Sequence, residues 1–373
     1  MSKTKIIAMY LPQYHEIPEN SKFWGEGFTD WVSVKKAEPL YKGHKQPKMP
    51  QNGKYYDLSK KENVAWQAKI AKKYGVDGFG IYHYWFSSKK QLLTKPAEII
   101  LENKDIDIPF FFAWDNISWK RTWSKLKGND WSPIVDDKAQ RKKDEPEILI
   151  EYVLGDKEEW KSHFDYLLPY FKDDRYIKKE GRPVFVVYHY DEKIILMGKY
   201  WNELAQKNGL SGVEIIYRYD PIKMIPGAQK TFTYEPPYSG WGTTVTRALS
   251  KIEKIFGKSD LQIYEYDKVW KKIIENAKKS ANSNVMSGAF VEYDDTPRRG
   301  KKGKVVTGAT PQKFEKYMAE LLRISSRQNK DFIFLTAWNE WGEGAYLEPD
   351  TENGYAYLEA LKRAVESVNA ENA

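Results

Sequence analysis

Short apolar runs alternate with longer segments of helical periodicity from one end of the chain to the other. The first two apolar runs begin at Lys5 and Val76, and the segment KENVAWQAKIAKKYG lies between them. This segment has apolar and small residues at helical spacing and ends at Gly75, a residue type typical of helix C-caps. The same order of strand, helix and strand recurs along the sequence. It is the order produced by parallel strands that are joined by crossover helices.

Eight strands are predicted in this way. They begin at or near Lys5, Val76, Ile108, Gly181, Val213, Lys230, Asn284 and Asp331. Helices are predicted near residues 61–75, 97–103, 158–171, 199–209, 267–279, 311–328 and 355–368. Eight alternating strands favour a (β/α)8 TIM barrel over a doubly wound sheet, which usually has fewer strands. We therefore predict an α/β protein with one catalytic domain over residues 1–373.

Two segments have no helix or strand pattern. Residues 23–57 follow the first strand, contain many aromatic, proline and glycine residues, and are predicted to form a long loop. Residues 125–144 follow the third strand, are strongly charged, and form a second predicted long loop. Both would emerge at the carboxyl ends of the strands, which is the functional face of a barrel.

Composition narrows the class of protein. The 373 residues include no cysteine, which excludes disulfides, thiolate ligands of metals and a cysteine nucleophile. The apolar run near the N-terminus is too short for a signal peptide, and no segment is long and apolar enough to span a membrane. These features predict a soluble protein of the cytoplasm.

The charge pattern argues against nucleic acid as a partner. The net charge of +8 comes mainly from lysines that are interleaved with acidic residues, as on a solvated surface. An anionic polysaccharide remains compatible with this charge. Aromatic residues make up 15% of the chain, with 14 Trp and 26 Tyr. Several of them lie in polar, loop-like segments, where rings can stack on the faces of sugars.

Side chains at the carboxyl ends of barrel strands converge on one site. At these ends aromatic residues alternate with hydrogen-bonding residues, a mixture that suits a hydroxyl-rich ligand. The predicted substrate-binding residues are Tyr14, His83, Tyr84, Trp85, Trp114, Asn116, Trp119, His189, Tyr217, Glu235, Glu292, Asp294, Arg298, Trp338, Asn339 and Trp341. The ends also carry Tyr82, Tyr188, Arg218 and Tyr234, and the loop residues Trp24, Trp31 and Trp241 are further candidates for sugar stacking.

The segment FLTAWNEWGEGAYLEPD holds two glutamates three residues apart, Glu340 and Glu343. Cleavage of a glycosidic bond requires one acid to protonate the departing oxygen and a second carboxylate to act on the other side of the reaction. Poor solvation beside indole rings would raise a glutamate pKa towards the range that is useful for proton transfer. We predict Glu340 and Glu343 as the catalytic pair. Glu235 and Glu292 are the rival acids, and a purely structural turn is the alternative.

No His, Asp or Glu spacing indicates a metal site, so no metal and no cofactor is expected. His83 and His189 could equally be packed residues with one hydrogen bond each. Arg298 and Arg299 follow two aspartates and could either bind an anionic sugar or form salt bridges with those neighbours.

Six segments carry a resemblance to a known family. They are AMYLPQYHEIPEN, GFGIYHYWF, KRTW, GRPVFVVY, YDDTPRRG and TAWNEWGEGAYLEP. Together they resemble the WbsX-type proteins of bacterial polysaccharide gene clusters, which are related to glycoside hydrolase family 99, the endo-acting α-mannosidases and mannanases. The resemblance covers nearly the whole chain. It implies a (β/α)8 barrel, a polysaccharide or oligosaccharide substrate and a retaining α-glycosidase site.

The resemblance also implies roles for the two glutamates. Glu340 would act as the base on the 2-hydroxyl of the sugar, which attacks the anomeric carbon to form an anhydro-sugar. Glu343 would be the acid that assists departure and then activates water. One position departs from the family pattern, because WDNISW has Ile117 where an acid is expected and has Asp115 nearby.

Two other functions compete with hydrolysis. A glycosyltransferase of O-antigen or capsule biosynthesis fits the gene clusters of the family, although no glycine-rich turn follows the first strand. A sugar-binding barrel without activity is the third possibility, and two intact glutamates argue against it.

Overall fold

The computed structural model describes residues 4–120, 148–221, 229–241 and 261–372. The second predicted loop, 125–144, lies outside these ranges, and the first, 23–57, lies within them. Eight strands of the described ranges form one mostly parallel sheet. They are β1 (Lys5–Tyr10), β2 (Gly78–Ser87), β3 (Phe110–Trp114), β4 (Arg182–Val187), β5 (Glu214–Arg218), β6 (Lys230–Phe232), β7 (Val285–Met286 and Gly288–Phe290) and β8 (Phe332–Thr336).

The order of the strands curves the sheet into a barrel. Each of β1 to β6 pairs in parallel with the next strand in this numbering, and β1 also pairs with β8. The two halves of β7 lie at the two edges of the sheet. Val285–Met286 pairs with β6, and Gly288–Phe290 pairs with β8. Ser287 joins these halves, so one continuous segment brings the two ends of the sheet together.

Helices lie between most of the successive strands, although the described residues include none between β5 and β6. Those of the described ranges are α1 (Pro18–Trp24), α2 (Asp30–Lys35), α3 (Lys61–Lys73), α4 (Lys95–Glu102), α5 (Lys157–Lys172), α6 (Glu192–Lys207), α7 (Pro237–Gly240), α8 (Tyr266–Lys279), α9 (Thr296–Arg299), α10 (Pro311–Arg327) and α11 (Ala356–Asn372). The predicted (β/α)8 barrel is confirmed, and its predicted strands lie within a few residues of the observed ones.

Several shorter strands occur in addition to the eight strands of the barrel. The strands Gln262–Glu265, Lys304–Thr307 and Tyr293–Asp294 form a separate small sheet. The other short strands are Lys90–Leu92, Trp119–Lys120, Ile148–Ile150, Lys178–Lys179, Asn339–Glu340 and Ala345–Tyr346. Single-turn 3-10 helices occur at Gln51–Gly53, Gly300–Lys302 and Trp341–Glu343.

The prediction of one long loop over residues 23–57 was incomplete. This segment contains the end of α1, the whole of α2 and one 3-10 turn. Helix α2 is only six residues long and buries Asp30, Trp31, Ser33 and Val34. A single amphipathic turn and a half is too short to give a clear periodicity, so tertiary packing rather than local pattern defines this helix.

Aromatic side chains fill the centre of the barrel. The rings of Phe232 and Phe334 stack with their centroids 4.2 Å apart. Phe111 of β3 also packs against Phe334, with a centroid distance of 6.0 Å. This packing closes the interior below the carboxyl ends of the strands, so the functional face is restricted to the upper edge. Among the described residues, no helix has the length and apolarity that a membrane span requires.

Candidate active site

Glu340 and Glu343 stand at the two sides of one tight turn after β8. The short strands Asn339–Glu340 and Ala345–Tyr346 pair antiparallel, and the 3-10 turn Trp341–Glu343 connects them. Gly344 follows with a φ of 56°, in the left-handed region where glycine is least strained. The hairpin therefore holds both carboxylates at the carboxyl edge of the barrel.

One arginine contacts both glutamates. Nη2 of Arg298 lies 2.7 Å from Oε1 of Glu340, and Nη1 of Arg298 donates to Oε1 of Glu343 at 3.0 Å. Contact with a single guanidinium keeps the two carboxyl groups within roughly 8 Å of each other, inside the span of glycosidase pairs. Nη2 also donates to Oδ2 of Asp30 at 2.6 Å. Arg298 forms its salt bridges with the glutamates and with Asp30, so the predicted pairing with the neighbouring aspartates is wrong for Arg298. Arg299 makes that pairing, with its Nε 3.0 Å from Oδ2 of Asp295.

The glycines of the WGEG turn allow this close approach. A Cβ on Gly342 would lie 2.5 Å from Nε of Arg298, closer than any real side chain is found. A Cβ on Gly344 would lie 3.0 Å from the backbone and side chain of Asp294. The two glycines therefore let the turn pack directly against the segment that carries Arg298.

Burial dominates the electrostatics of Glu340. Its side chain is 7% exposed, whereas that of Glu343 is 19% exposed. Burial raises the pKa of Glu340 to about 8; Arg298 opposes this rise, while the charges of Glu343 and Asp30 add to it. Such a value suits proton transfer near neutral pH, because a group works best when its pKa lies close to the operating pH.

Arg298 stays cationic despite its burial. Burial disfavours its charge, but Asp30, Glu340 and Glu343 together outweigh that effect and raise the pKa of Arg298 well above its ordinary value. Three carboxyl groups surround one guanidinium, so a proton on Glu340 reduces an excess of negative charge. Asp30 was absent from the predicted site, since its helix has no pattern that marks it in the sequence.

Tyr14 and Asn339 hold the hairpin against β1. The hydroxyl of Tyr14 donates to the carbonyl of Asn339 at 2.7 Å and accepts from the amide of Trp341 at 3.1 Å. The side-chain amide of Asn339 exchanges two hydrogen bonds with the backbone of Leu11, at 2.7 and 3.0 Å. Both predicted substrate-binding residues are fully buried and use these groups to position the glutamates.

The buried acid Glu348 holds the indole ring of Trp341 in place through a hydrogen bond. Oε2 of Glu348 accepts from Nε1 of Trp341 and from the hydroxyl of Tyr56, each at 2.7 Å, and Oε1 accepts from Gln67 at 2.7 Å. Burial raises the pKa of Glu348 to about 7, although these hydrogen bonds oppose the rise. The ring of Trp341 stacks on Tyr346 with a centroid distance of 3.7 Å. Only 1% of Trp341 is exposed, so it supports the turn from inside.

Tyrosines form the wall that faces the glutamate pair. The hydroxyl of Tyr188 donates to that of Tyr82 at 2.9 Å, and Tyr234 packs edge-on against Tyr188 at 5.7 Å. Burial is the largest effect that raises the pKa of each of these three tyrosines. The charge of Glu340 also raises the pKa of all three, and for Tyr234 the charge of Glu343 has a larger effect than that of Glu340. The predicted Tyr84 belongs to the same wall and accepts from Gln13 at 2.7 Å. Alternation along β2 puts Tyr82 and Tyr84 on one face, a signal that the sequence already contained.

Alternation also explains which predicted residues lie elsewhere. His83, Trp85 and Trp114 point away from the barrel axis and pack against α5. His83 shares a 2.8 Å contact between ring nitrogens with His163, and Trp85 stacks on the same histidine at 4.4 Å. Burial lowers the pKa of His83 to about 3, so the ring is neutral. The packing alternative considered for His83 is the one that this geometry favours.

Asn116 and His189, two further predicted residues, connect the loops after β3 and β4 at the rim of the barrel. Asn116 donates to the carbonyl of His189 at 2.6 Å and accepts from its amide at 2.8 Å. The His189 side chain is 38% exposed, and its Nε2 lies 3.6 Å from Oδ1 of Asp115. The loops after β3 and β4 are joined here, and the His189 ring remains accessible from the mouth of the barrel.

The rival acids are both engaged outside the tyrosine wall. Glu235 accepts from the amide and hydroxyl of Ser239 at 2.9 and 2.7 Å, and burial raises its pKa to about 8. Glu292 accepts from Tyr357 of α11 at 3.1 Å and lies 3.6 Å from Nζ of Lys48. These contacts satisfy each acid within the scaffold, which leaves Glu340 and Glu343 as the acids that lie side by side.

The remaining predicted residues are also buried in the scaffold. Asp294 accepts from His44 and Gln46 and so connects the segment after α2 to the small sheet. Tyr217 lies under Tyr190, and Trp119 packs among rings that include Tyr84 and Phe86. Trp338 is fully buried against Phe79. Of the three loop tryptophans, Trp24 and Trp31 are buried, whereas Trp241 is half-buried and packs against Tyr264 and Tyr293.

Within the parts of the chain that the structure describes, no three His, Cys, Asp or Glu side chains converge in a way that could hold a metal ion. The groups that the structure describes at the hairpin are carboxyl groups, an arginine and phenolic hydroxyls. Such groups can bind hydroxyl-rich molecules and transfer protons.

The barrel is similar in fold to solved glycoside hydrolase structures. A GH99 endo-α-mannosidase from Bacteroides thetaiotaomicron superimposes with a TM-score of 0.56 at 14% identity, covering 99% of this chain and 98% of that one. A protein described as glycoside hydrolase-like superimposes with a TM-score of 0.53 at 13% identity, covering 98% and 94%. At these identities the likeness concerns the fold.

The chain belongs to the WbsX family, described as "Glycosyltransferase WbsX", whose profile matches residues 6–361. A curated relative, the uncharacterized protein WxcX of Xanthomonas campestris pv. campestris, is 28% identical over 96% of this chain. The match covers 49% of that relative, so the chain spans about half the length of the curated relatives it matches.

Proposed function

We propose that the protein is a retaining α-glycoside hydrolase of the α-mannosidase or mannanase type, acting on a polysaccharide or oligosaccharide. The observation that carries the proposal is the shared contact of Glu340 and Glu343 with Arg298 beside a wall of tyrosine hydroxyls. A carboxyl pair at this spacing can serve both sides of a glycosidic bond. The tyrosine wall offers rings and hydroxyls to a pyranose.

In the first step Glu340, as a carboxylate, takes the proton of the 2-hydroxyl while that oxygen attacks the anomeric carbon. Glu343, as the acid, gives its proton to the departing oxygen, and a 1,2-anhydro-sugar forms. In the second step Glu343 takes a proton from water, which opens the anhydro ring at the anomeric carbon, and Glu340 returns its proton to the 2-oxygen. Two inversions retain the configuration, and no bond to the protein forms.

The raised pKa of Glu340 supports the role of base. A carboxylate whose conjugate acid has a pKa of about 8 binds a proton more tightly than an exposed glutamate does, so it is the stronger base once it is ionised. Its contact with Arg298 supplies the charge that stabilises the ionised form. Proton transfer from a sugar hydroxyl requires such a base.

The test is incubation with α-mannan oligosaccharides, followed by NMR of the anomeric protons in the first product. Retention with the wild type and loss of turnover in Glu343→Gln, at unchanged binding, are expected. Glu359→Gln, an exposed glutamate of α11, is the matched control and keeps full activity. A glycosyl ester on either glutamate, detected by mass spectrometry, would exclude the anhydro-sugar route.

The family description favours glycosyl transfer as the second candidate. Incubation with nucleotide sugars and an oligosaccharide acceptor distinguishes the two. Chain extension with release of the nucleotide would assign transfer, and binding without either reaction would assign a sugar-binding barrel.

A further inference from the structure

One arginine at the mouth of the barrel has no role in the chemistry proposed above. Arg218 is the last residue of β5, so it lies at the same edge of the sheet as the glutamate hairpin. Its guanidinium carbon stands 5.6 Å from the centre of the Tyr188 ring. Tyr188 in turn donates to Tyr82 in the wall that faces Glu340. One tyrosine layer therefore separates Arg218 from the reactive carboxylates.

The environment of Arg218 differs from that of the other inward arginine. Arg298 has three carboxylates within 3.0 Å, whereas no carboxylate of the described residues lies within 4.0 Å of Arg218. Arg218 is nevertheless half-buried, whereas Arg327, which has no ion pair with the residues that the structure describes, is exposed. A cation–π contact with one ring stabilises a partly buried guanidinium much less than a charge-assisted hydrogen bond to a carboxylate does.

We infer that Arg218 forms an anion-binding subsite, which receives a carboxylate or sulfate carried by a sugar of the substrate. The planar fork of a guanidinium matches such oxyanions with two parallel hydrogen bonds. The Tyr188 ring lies beside the guanidinium, and none of the carboxylates in the described residues lies within 4.0 Å of it. The inference rests on the proposed function in one respect, namely that the ligand is a carbohydrate.

The arrangement also explains how an acidic substrate could be bound beside a carboxylate pair. An anionic substituent next to Glu340 or Glu343 would be repelled, whereas one at Arg218 is attracted to a cation and held away by the rings of Tyr188 and Tyr82. The reacting sugar and the charged substituent would then occupy opposite sides of the tyrosine wall. The net charge of +8 favours the approach of such a chain.

The test measures binding and does not depend on turnover. Saturation-transfer NMR in competition mode compares methyl glycosides of mannose, glucose and galactose with the corresponding uronates and 6-sulfates, using the 373-residue chain that carries Glu343→Gln. We expect at least one acidic sugar to bind about tenfold more tightly than its neutral partner, the effect of one charge-assisted hydrogen bond. Uronates and sulfates are measured separately, so the experiment distinguishes a carboxylate from a sulfate as the group that Arg218 binds.

Adding Arg218→Gln to the same protein should remove that preference and leave the neutral sugar bound as before. Arg327→Gln is the matched control and should keep the preference. The inference is overturned if no acidic sugar is preferred, or if the preference survives in Arg218→Gln. Failure of hydrolysis with a retained Arg218-dependent preference would instead count against the proposed reaction alone.

Discussion

Nη2 of Arg298 lies 2.7 Å from Oε1 of Glu340, and both side chains are largely shielded from solvent. The contact stabilises the ionised form of a glutamate that burial would otherwise keep protonated. Because the same guanidinium also contacts Glu343 and Asp30, the protonation of the pair depends on charges outside the pair.

Removing the cation should make Glu340 harder to ionise. In Arg298→Gln we expect the acidic limb of the kcat/KM profile to move to higher pH, because the opposing charge that lowers the pKa of Glu340 is lost. Leaving buried carboxylates unpaired should also lower the free energy of unfolding by about 3–5 kcal/mol. The pH profile and chemical denaturation measure these effects. Arg299→Gln, whose partner is Asp295, should leave the profile unchanged.

Removing the third acid should have the opposite effect. Asp30 adds negative charge beside Glu340 and raises its pKa. Asp30→Asn should therefore shift the acidic limb of kcat/KM to lower pH, as measured on the same substrate. A shift in the other direction would show that the limb belongs to a different group. The control is Asp107→Asn, an exposed acid paired with Lys72 on the outside of the barrel.

The turn should not tolerate a side chain at Gly342. In Gly342→Ala the new Cβ would meet Nε of Arg298 at 2.5 Å, so the guanidinium or the hairpin must move. We expect a loss of about 1–3 kcal/mol in the free energy of unfolding, as for overpacking elsewhere, together with reduced kcat. Gly240→Ala is the control, since its Cβ would meet Val269 at an ordinary 3.7 Å. Equal stability of the two variants would contradict the packing described.

The stability of the protein should fall as the pH rises from about 6 to about 8, because buried acids that hold protons in the folded state must ionise. Burial raises the pKa of Glu235 to about 8 and that of Glu348 to about 7, both above the unfolded value of 4.5. The folded state therefore binds more protons than the unfolded state across this window. Thermal unfolding at several pH values should show a decreasing Tm.

Replacing one of these acids should flatten that dependence. Glu235→Gln keeps an accepting oxygen for Ser239 but has no proton to lose, so its Tm should fall less steeply with pH than that of the wild type. Glu359→Gln, an exposed position, should follow the wild type. Parallel curves for all three proteins would mean that Glu235 ionises normally in the folded state.

Several features of this protein were determined by its sequence alone. Alternating apolar runs and amphipathic segments predicted the eight strands and the barrel, because burial of a strand on both faces leaves a continuous apolar run in the sequence. The NEWGEG segment identified Glu340 and Glu343 as neighbours, since a turn with two glycines keeps residues three apart close together. Both properties are local, so they can be read from adjacent residues.

Other features were decided only by the tertiary structure. Strand alternation placed Tyr82 in the wall and the adjacent His83 against α5, although both lie on the same strand. Asp30 reaches Arg298 across 268 positions of sequence, from a helix too short to give a pattern. Burial raises the pKa of Glu340 only once the barrel has closed around it, since desolvation depends on every element packed against the carboxyl group. The sequence supplied the acids, whereas the fold determined their surroundings.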